Sequence, residues 1–137
     1  MSEEELLDVE IKEDFDIVKA RARARAVAAT LGFELVDQTR IATAVSEIAR
    51  NALVHGGGGK MTLRAINRKK GLEIVIVDKG PGIPDINQAV KDGYSTAGGL
   101  GLGLGGAKRL MDELRIESSS VGTKVTMRKW LLGELRR

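Results

Sequence analysis

The chain is 137 residues long, carries a formal net charge of +3 and has no cysteine. That length makes one domain, residues 1–137, able to bury roughly 65–70% of its unfolded-chain surface without staples, and the missing thiols exclude disulfides, thiolate metal sites and cysteine nucleophiles. Phe15, Phe33, Tyr94 and Trp130 are the whole aromatic complement, too few to stack nucleic-acid bases; with no apolar run near the ~18–20 residues of a membrane span and an acidic start from Met1 to Glu5 unlike a signal peptide, a cytoplasmic protein without nucleic-acid or membrane contacts is expected.

In chain order, Val9-Glu10-Ile11 reads as an early strand. Asp14 or Asp16 can cap a helix that runs to Leu31 and stops at Gly32. Lys19 to Arg25 alternate with period two, as a strand would, but alanine and arginine are good helix formers. Ile17, Ala20, Ala24, Ala28 and Leu31 also make a continuous helical stripe, so the segment reads as helix. A second helix is expected from about Val36 to Val54, burying Ile41, Ala44 or Val45, Ile48 and Ala52, and ended by His55 and the four glycines after it.

Met61 to Asn67 and Leu72 to Val77 read as strands joined by a basic turn at Arg68 to Gly71. A loop and short helix follow from Pro81 to about Asp92, then a helix from Leu104 to about Leu114, then strands at Arg115 to Ser118 and Thr123 to Trp130. Helices with mostly neighbouring strands predict an α/β two-layer sandwich, its helices on one face of a mixed, mostly antiparallel sheet.

Three segments carry chemistry. Glu47 and Asn51 lie four residues apart on the second helix and so project from one face. An asparagine oxygen suits Mg²⁺, which keeps several waters and takes its remaining ligands from phosphates; a carboxylate beside it can accept a proton from an attacking hydroxyl. Taken alone, the pair reads more readily as a solvated Glu and Asn on a helix surface. The apolar strand Ile74 to Val77 ends in Asp78, followed by Gly80-Pro81-Gly82. A carboxylate there can accept from an adenine amino group, and the glycines let backbone approach the base; the bland reading is a turn that needs these residues for its shape.

The third segment, Gly98 to Gly106, holds six glycines in nine residues and runs into Ala107-Lys108-Arg109-Leu110. Such a loop offers backbone N–H groups, and the helix start behind it favours phosphate. One register, Gly101-x-Gly103-x-x-Gly106, matches a dinucleotide fingerprint, but it follows Gly93 to Gly98 instead of a strand and lacks an acidic strand end about 20 residues on. No Gly-Lys-Ser/Thr follows the glycines, and no Val-Ala-Ile-Lys or His-Arg-Asp segment is present. His55 reads as a cap or packing residue, Arg50 as off the Glu47–Asn51 face, and Lys108 and Arg109 as cations poorly matched to a helix start.

These segments resemble the motifs of the GHKL superfamily, the Bergerat-fold ATPases of gyrase, Hsp90, histidine kinases and MutL. Ser46-Glu47-Ile48-Ala49-Arg50-Asn51 resembles its N-box, Asp78 to Pro84 its first glycine box, Gly98 to Gly103 its second, and Gly122-Thr123 its last motif. The stretches Asp16-Ile17-Val18, Leu31-Gly32-Phe33, Val36 to Ile41 and Lys91 to Gly101 are further similar to the RsbT-type serine/threonine kinases of the bacterial stressosome. The resemblance implies ATP and Mg²⁺ as cofactors, Glu47 as general base and Asn51 as the Mg²⁺ ligand.

It also implies Asp78 at the adenine amino group with Thr123 assisting, and Gly80, Gly82 and Ile83 lining the base. A lid would cover ATP from about Asp85 to Gly98, itself an ATP contact, with a phosphate-binding hinge made by Gly99, Leu100, Gly101, Leu102, Gly103, Leu104 and Gly105. Its implied substrates are hydroxyls on STAS-domain scaffold proteins (RsbS- and RsbR-like). A PP2C-type phosphatase or other effector would be the partner after release. His55 and Gly56 to Gly59 instead resemble the related anti-sigma-factor kinases, which keeps that partner class open; a nucleotide-gated binding module without significant catalysis is a separate alternative.

Overall fold

Alternation decides the sheet. Along β2 (Gly59–Ile66) and β3 (Gly71–Asp78), Met61, Leu63, Leu72, Ile74 and Ile76 are buried, whereas Thr62, Arg64 and Val75 between them are only partly so. The computed structural model describes residues 4–82 and 103–131. Around that pair stand β1 (Glu4–Ile11), β4 (Glu113–Ser119) and β5 (Gly122–Trp130), in the order β1-β2-β3-β5-β4. Each pairing among the described residues is antiparallel, so the parallel component expected from sequence is not found there.

The helices α1 (Asp14–Leu31), α2 (Leu35–Val54) and α3 (Leu104–Leu110) pack on one side of the sheet and share one apolar core with it. Ile41, Ala44, Val45 and Ile48 of α2 meet Leu63, Ile74 and Met127 of the strands in that core. On the opposite face Arg64, Glu73, Arg115, Glu117, Lys124 and Arg128 line a polar surface. The architecture is the expected α/β two-layer sandwich.

Helix α1 confirms the alanine stripe: Ala20, Ala24 and Ala28 are fully buried, while Arg21, Arg23 and Arg25 stay in solvent. Three small side chains four residues apart let α1 lie close to its neighbours, and the period-two alternation has no matching burial pattern, since Ala22 and Ala26 are exposed like the arginines. Its start differs from expectation. Glu13 is the N-cap, and Asp16 sits at the third helical position. Its Oδ2 accepts the N–H groups of Lys12 (2.8 Å) and Glu13 (3.2 Å), closing the helix entry from inside. Gly32 ends the helix in the left-handed conformation, φ 104°.

β1 begins at Glu4, earlier than the expected Val9, and two boundaries moved after the glycine-rich segment. The final helix ends at Leu110 instead of near Leu114, and β4 begins at Glu113 instead of Arg115. Sheet pairing explains both: the Asp112 N–H donates to the Arg128 carbonyl (3.0 Å), the Asp112 carboxylate accepts from Trp130 N–H (2.8 Å), and Glu113 pairs with Arg128. The β2–β3 turn, expected at Arg68 to Gly71, falls one residue earlier, from Asn67 to Lys70, with Asn67, Arg68 and Lys69 all at positive φ. Of the loop and short helix expected from Pro81 to Asp92, only Pro81 and Gly82 are among the described residues.

Candidate nucleotide site

The ends of four elements converge on one cleft. The C-terminal half of α2 brings Ile48, Asn51 and Ala52; the end of β3 brings Ile76 and Asp78; the start of β5 brings Thr123 and Val125; the first residue of α3 is Leu104. Register does much of this. Asp78 lies opposite Gly59 on one side and Thr123 on the other, so the carboxylate and the buried threonine hydroxyl stand on adjacent strand ends.

The chemistry is graded. Ile48, Ala52, Ile76, Leu104 and Val125 give an apolar slot, and Asn51, His55, Asp78 and Thr123 give its polar groups. A flat heterocycle fits such a slot, held by its faces and read at one edge. Asp78 Oδ1 accepts the Gly80 N–H at 2.9 Å, which fixes the carboxylate against the turn that follows it.

Two glycines are demanded by geometry. Gly82 has φ +84°, and a Cβ there would run into the Ser119 carbonyl and come within 2.8 Å of Ser118 Oγ. Gly103, at φ +67°, is the N-cap of α3, and a Cβ there would strike Glu47 Oε1. The Glu47 carboxylate therefore abuts the start of α3, beside the cleft and not among the residues that line it. Arg50 Nη1 lies 3.6 Å from Glu47 Oε2 with both groups substantially exposed, a weak pair. Helical geometry had set Arg50 off the Glu47 face; its long side chain reaches back three residues.

Of the residues picked from sequence, Asn51, Asp78, Gly82, Leu104 and Thr123 line one cleft, and Glu47 stands at Gly103. Gly80 packs behind it, where a Cβ would meet Gly56 Cα at 2.5 Å, and Gly105 is buried in the first turn of α3. Ile83, Gly98, Gly99, Leu100, Gly101 and Leu102, and the lid expected from Asp85, lie outside the described residues. Sequence reasoning missed three neighbours. His55, expected as a cap or packing residue, does cap α2 with its N–H donating to Asn51 O, and it also lines the cleft. Gly56 presses on Asp78, and Ser118 Oγ lies 3.0 Å from Thr123 Oγ1. Ser118 could have been found, because a Ser119–Gly122 hairpin sets position 118 across from position 123.

Comparison with known proteins fits this arrangement. The sequence profile of the histidine kinase-like ATPase domain matches residues 12–129. The chain belongs to the histidine kinase-like ATPase family. Within these ATPases it groups with serine/threonine-protein kinase RsbT of Bacillus subtilis (strain 168), at 50% identity over 126 residues, 90% of this chain and 95% of that one. Anti-sigma F factor of Clostridium novyi (strain NT) is 33% identical over 120 residues, 82% of this chain and 84% of its own.

Two solved structures show the same histidine kinase-like ATPase fold. The RsbU and RsbW domains of Rv1364c from Mycobacterium tuberculosis superpose with a TM-score of 0.64 at 23% identity, covering 91% of this chain and 31% of that one. The catalytic domain of histidine kinase ThkA gives 0.58 at 16%, covering 96% and 100%. No helix of the described residues is long and apolar enough to cross a membrane.

Proposed function

We propose that the chain is an ATP-dependent protein serine/threonine kinase that phosphorylates STAS-domain scaffold proteins and then changes partner, a PP2C-type phosphatase or similar effector being the next one. The observation that carries the reading is the convergence of Asn51, Asp78 and Thr123 on one apolar cleft, with Glu47 at its edge. The 50% identity to a serine/threonine-protein kinase over nearly the whole chain supports the reaction class.

In this reading the adenine enters the slot between Ile48, Ile76 and Val125, its amino group donating to Asp78. Gly80 and Gly82 keep that wall thin, and the glycines from Gly98 to Gly105 hold the phosphates through backbone N–H groups. Among the described residues there is no cluster of three His, Cys, Asp or Glu side chains able to cage a metal. An asparagine oxygen near one carboxylate suits an ion that takes its other ligands from phosphates and water. Asn51 would hold that Mg²⁺, which when bound neutralises phosphate charge.

The acceptor hydroxyl oxygen attacks the γ-phosphorus, the bond to the β–γ bridging oxygen breaks, ADP leaves, and the hydroxyl proton passes to Glu47. Phosphoryl transfer has a loose transition state, so alignment and charge neutralisation dominate over covalent help. Among the described residues that line the cleft there is no lysine to take the part it has in conventional kinases, and turnover is expected to be slow, which suits a switch.

The test is transfer of label from [γ-³²P]ATP to a purified STAS-domain partner. Glu47→Ala is expected to bind ATP normally and lose about 100-fold or more in transfer, whereas Asn51→Ala and Asp78→Asn weaken nucleotide binding itself. Normal transfer by Glu47→Ala would remove the general base from the scheme. A second reading, the anti-sigma-factor kinase, draws on the 33% identity to anti-sigma F factor and on His55 in the cleft lining. Stable co-purification with a sigma factor, without transfer to a STAS protein, would favour it.

A further inference from the structure

The cleft has a second layer. Thr123, 8% exposed, opens β5, and its hydroxyl does not face the cleft alone: Ser118 Oγ on the edge strand β4 lies 3.0 Å away, across the Ser119–Gly122 hairpin. Ser118 is not among the residues that line the cleft. It is nonetheless built in, since the left-handed Gly82 packs so tightly on the Ser118–Ser119 segment that any side chain at 82 would collide with it. The first glycine turn, the threonine and the serine form one interlocked corner.

A threonine hydroxyl has one proton and two lone-pair directions, and its neighbours decide which it presents. Asp78, on the adjacent strand end, can only accept. The adenine edge offers an amino donor at N6 and an acceptor at N1; guanine offers an acceptor at O6 and a donor at N1. A carboxylate beside a second acceptor would leave adenine N1 facing a lone pair. A carboxylate beside a donor matches adenine at both atoms and mismatches guanine at both.

We propose that Ser118 is a positioning residue for nucleobase specificity: by donating to Thr123 Oγ1 it leaves the Thr123 O–H to donate into the cleft, so that Asp78 and Thr123 together select adenine over guanine. The inference deepens the reading of the cleft as an adenine-nucleotide site and rests on it. Ser118 touches no reacting atom and acts through Thr123.

The experiment measures ATP and GTP dissociation constants of the full chain by calorimetry, with thermal melts as the folding control. Ser118→Ala is expected to weaken ATP about three- to tenfold, the range of one lost neutral hydrogen bond, while GTP binding stays the same or tightens. Ser118→Val, which keeps a strand-compatible shape without the hydroxyl, gives the same result, and Ser118→Thr restores the wild-type ratio. In a Thr123→Val background, Ser118→Ala changes neither constant. An unchanged ATP/GTP ratio in Ser118→Ala and Ser118→Val, or an equal loss of ATP affinity in the Thr123→Val background, overturns the inference while leaving the nucleotide site standing. Wild-type protein that binds neither nucleotide overturns both.

Discussion

At the scale of single residues, the cleft is set by what has no side chain as much as by what does. A methyl at Gly56 would overlap Asp78 Cγ and lie 2.6 Å from both its Cβ and Oδ1. These are the stem and one oxygen of the carboxylate proposed to read the base, not the far end of a flexible chain. Gly56→Ala is therefore expected to turn Asp78 away and cost about 10- to 100-fold in ATP affinity, the worth of a hydrogen bond to a charged group, with little change in the melting temperature. Titration with a fluorescent ATP analogue checks it; unchanged affinity would show that Asp78 tolerates displacement or does not hold the nucleotide. Nothing in the sequence pointed to Gly56 for this purpose, because it follows the motif by five positions and its contact is with a strand end 22 residues on.

At the scale of elements, two ends illustrate how local chemistry and sheet pairing compete. The Lys12 N–H, working against partial burial, and then the Glu13 N–H and the Lys19 ammonium hold the Asp16 carboxyl below its usual range. A carboxyl whose folded value is depressed stabilises the fold fully above its unfolded value, about 3.9, and loses that contribution as pH falls through the folded value. The stability gap between wild type and Asp16→Asn should thus be widest near neutral pH and close below about pH 4. Denaturant titrations at several pH values measure it; a gap independent of pH would mean the charge is immaterial.

The end of α3 makes the opposite case. The helical pattern continues past Leu110, but the Asp112 carboxylate accepts from Trp130 N–H and lies 3.6 Å from the buried Lys129 ammonium, which Asp37 of α2 also approaches at 3.7 Å. A lysine on the inner face of β5 needs those carboxylates. Asp112→Ala is expected to destabilise the protein by about 1–3 kcal/mol, and Asp112→Asn by less, since its amide oxygen still accepts from Trp130. Equal losses in the two variants, read from denaturant midpoints, would place the effect elsewhere.

At the scale of the whole molecule, one core ties the site to the fold. Ile74, fully buried at the centre of β3, lies opposite Leu63 on one side and Met127 on the other. Ile74→Ala should cost about 2–5 kcal/mol and shift a single cooperative unfolding transition without splitting it. A biphasic curve would mean that sheet and helices do not share one core.

Helix α2, the alternating strands and the Gly32 stop were legible in the sequence because each depends on local periodicity or on one backbone conformation. The residue types of the cleft and its edge were legible too, since Asn51 shares a helix face with Glu47 at that edge and Asp78 ends a strand. What only the tertiary structure decided were the relations between segments distant in the chain. It set Thr123 beside Asp78, Ser118 behind Thr123, Glu47 against Gly103 and Gly56 against Asp78, and it closed α3 early. Those contacts follow from strand order and register, which no spacing along one segment encodes; they arise when the apolar faces of α2, β3 and β5 are buried together and leave their polar ends at one edge.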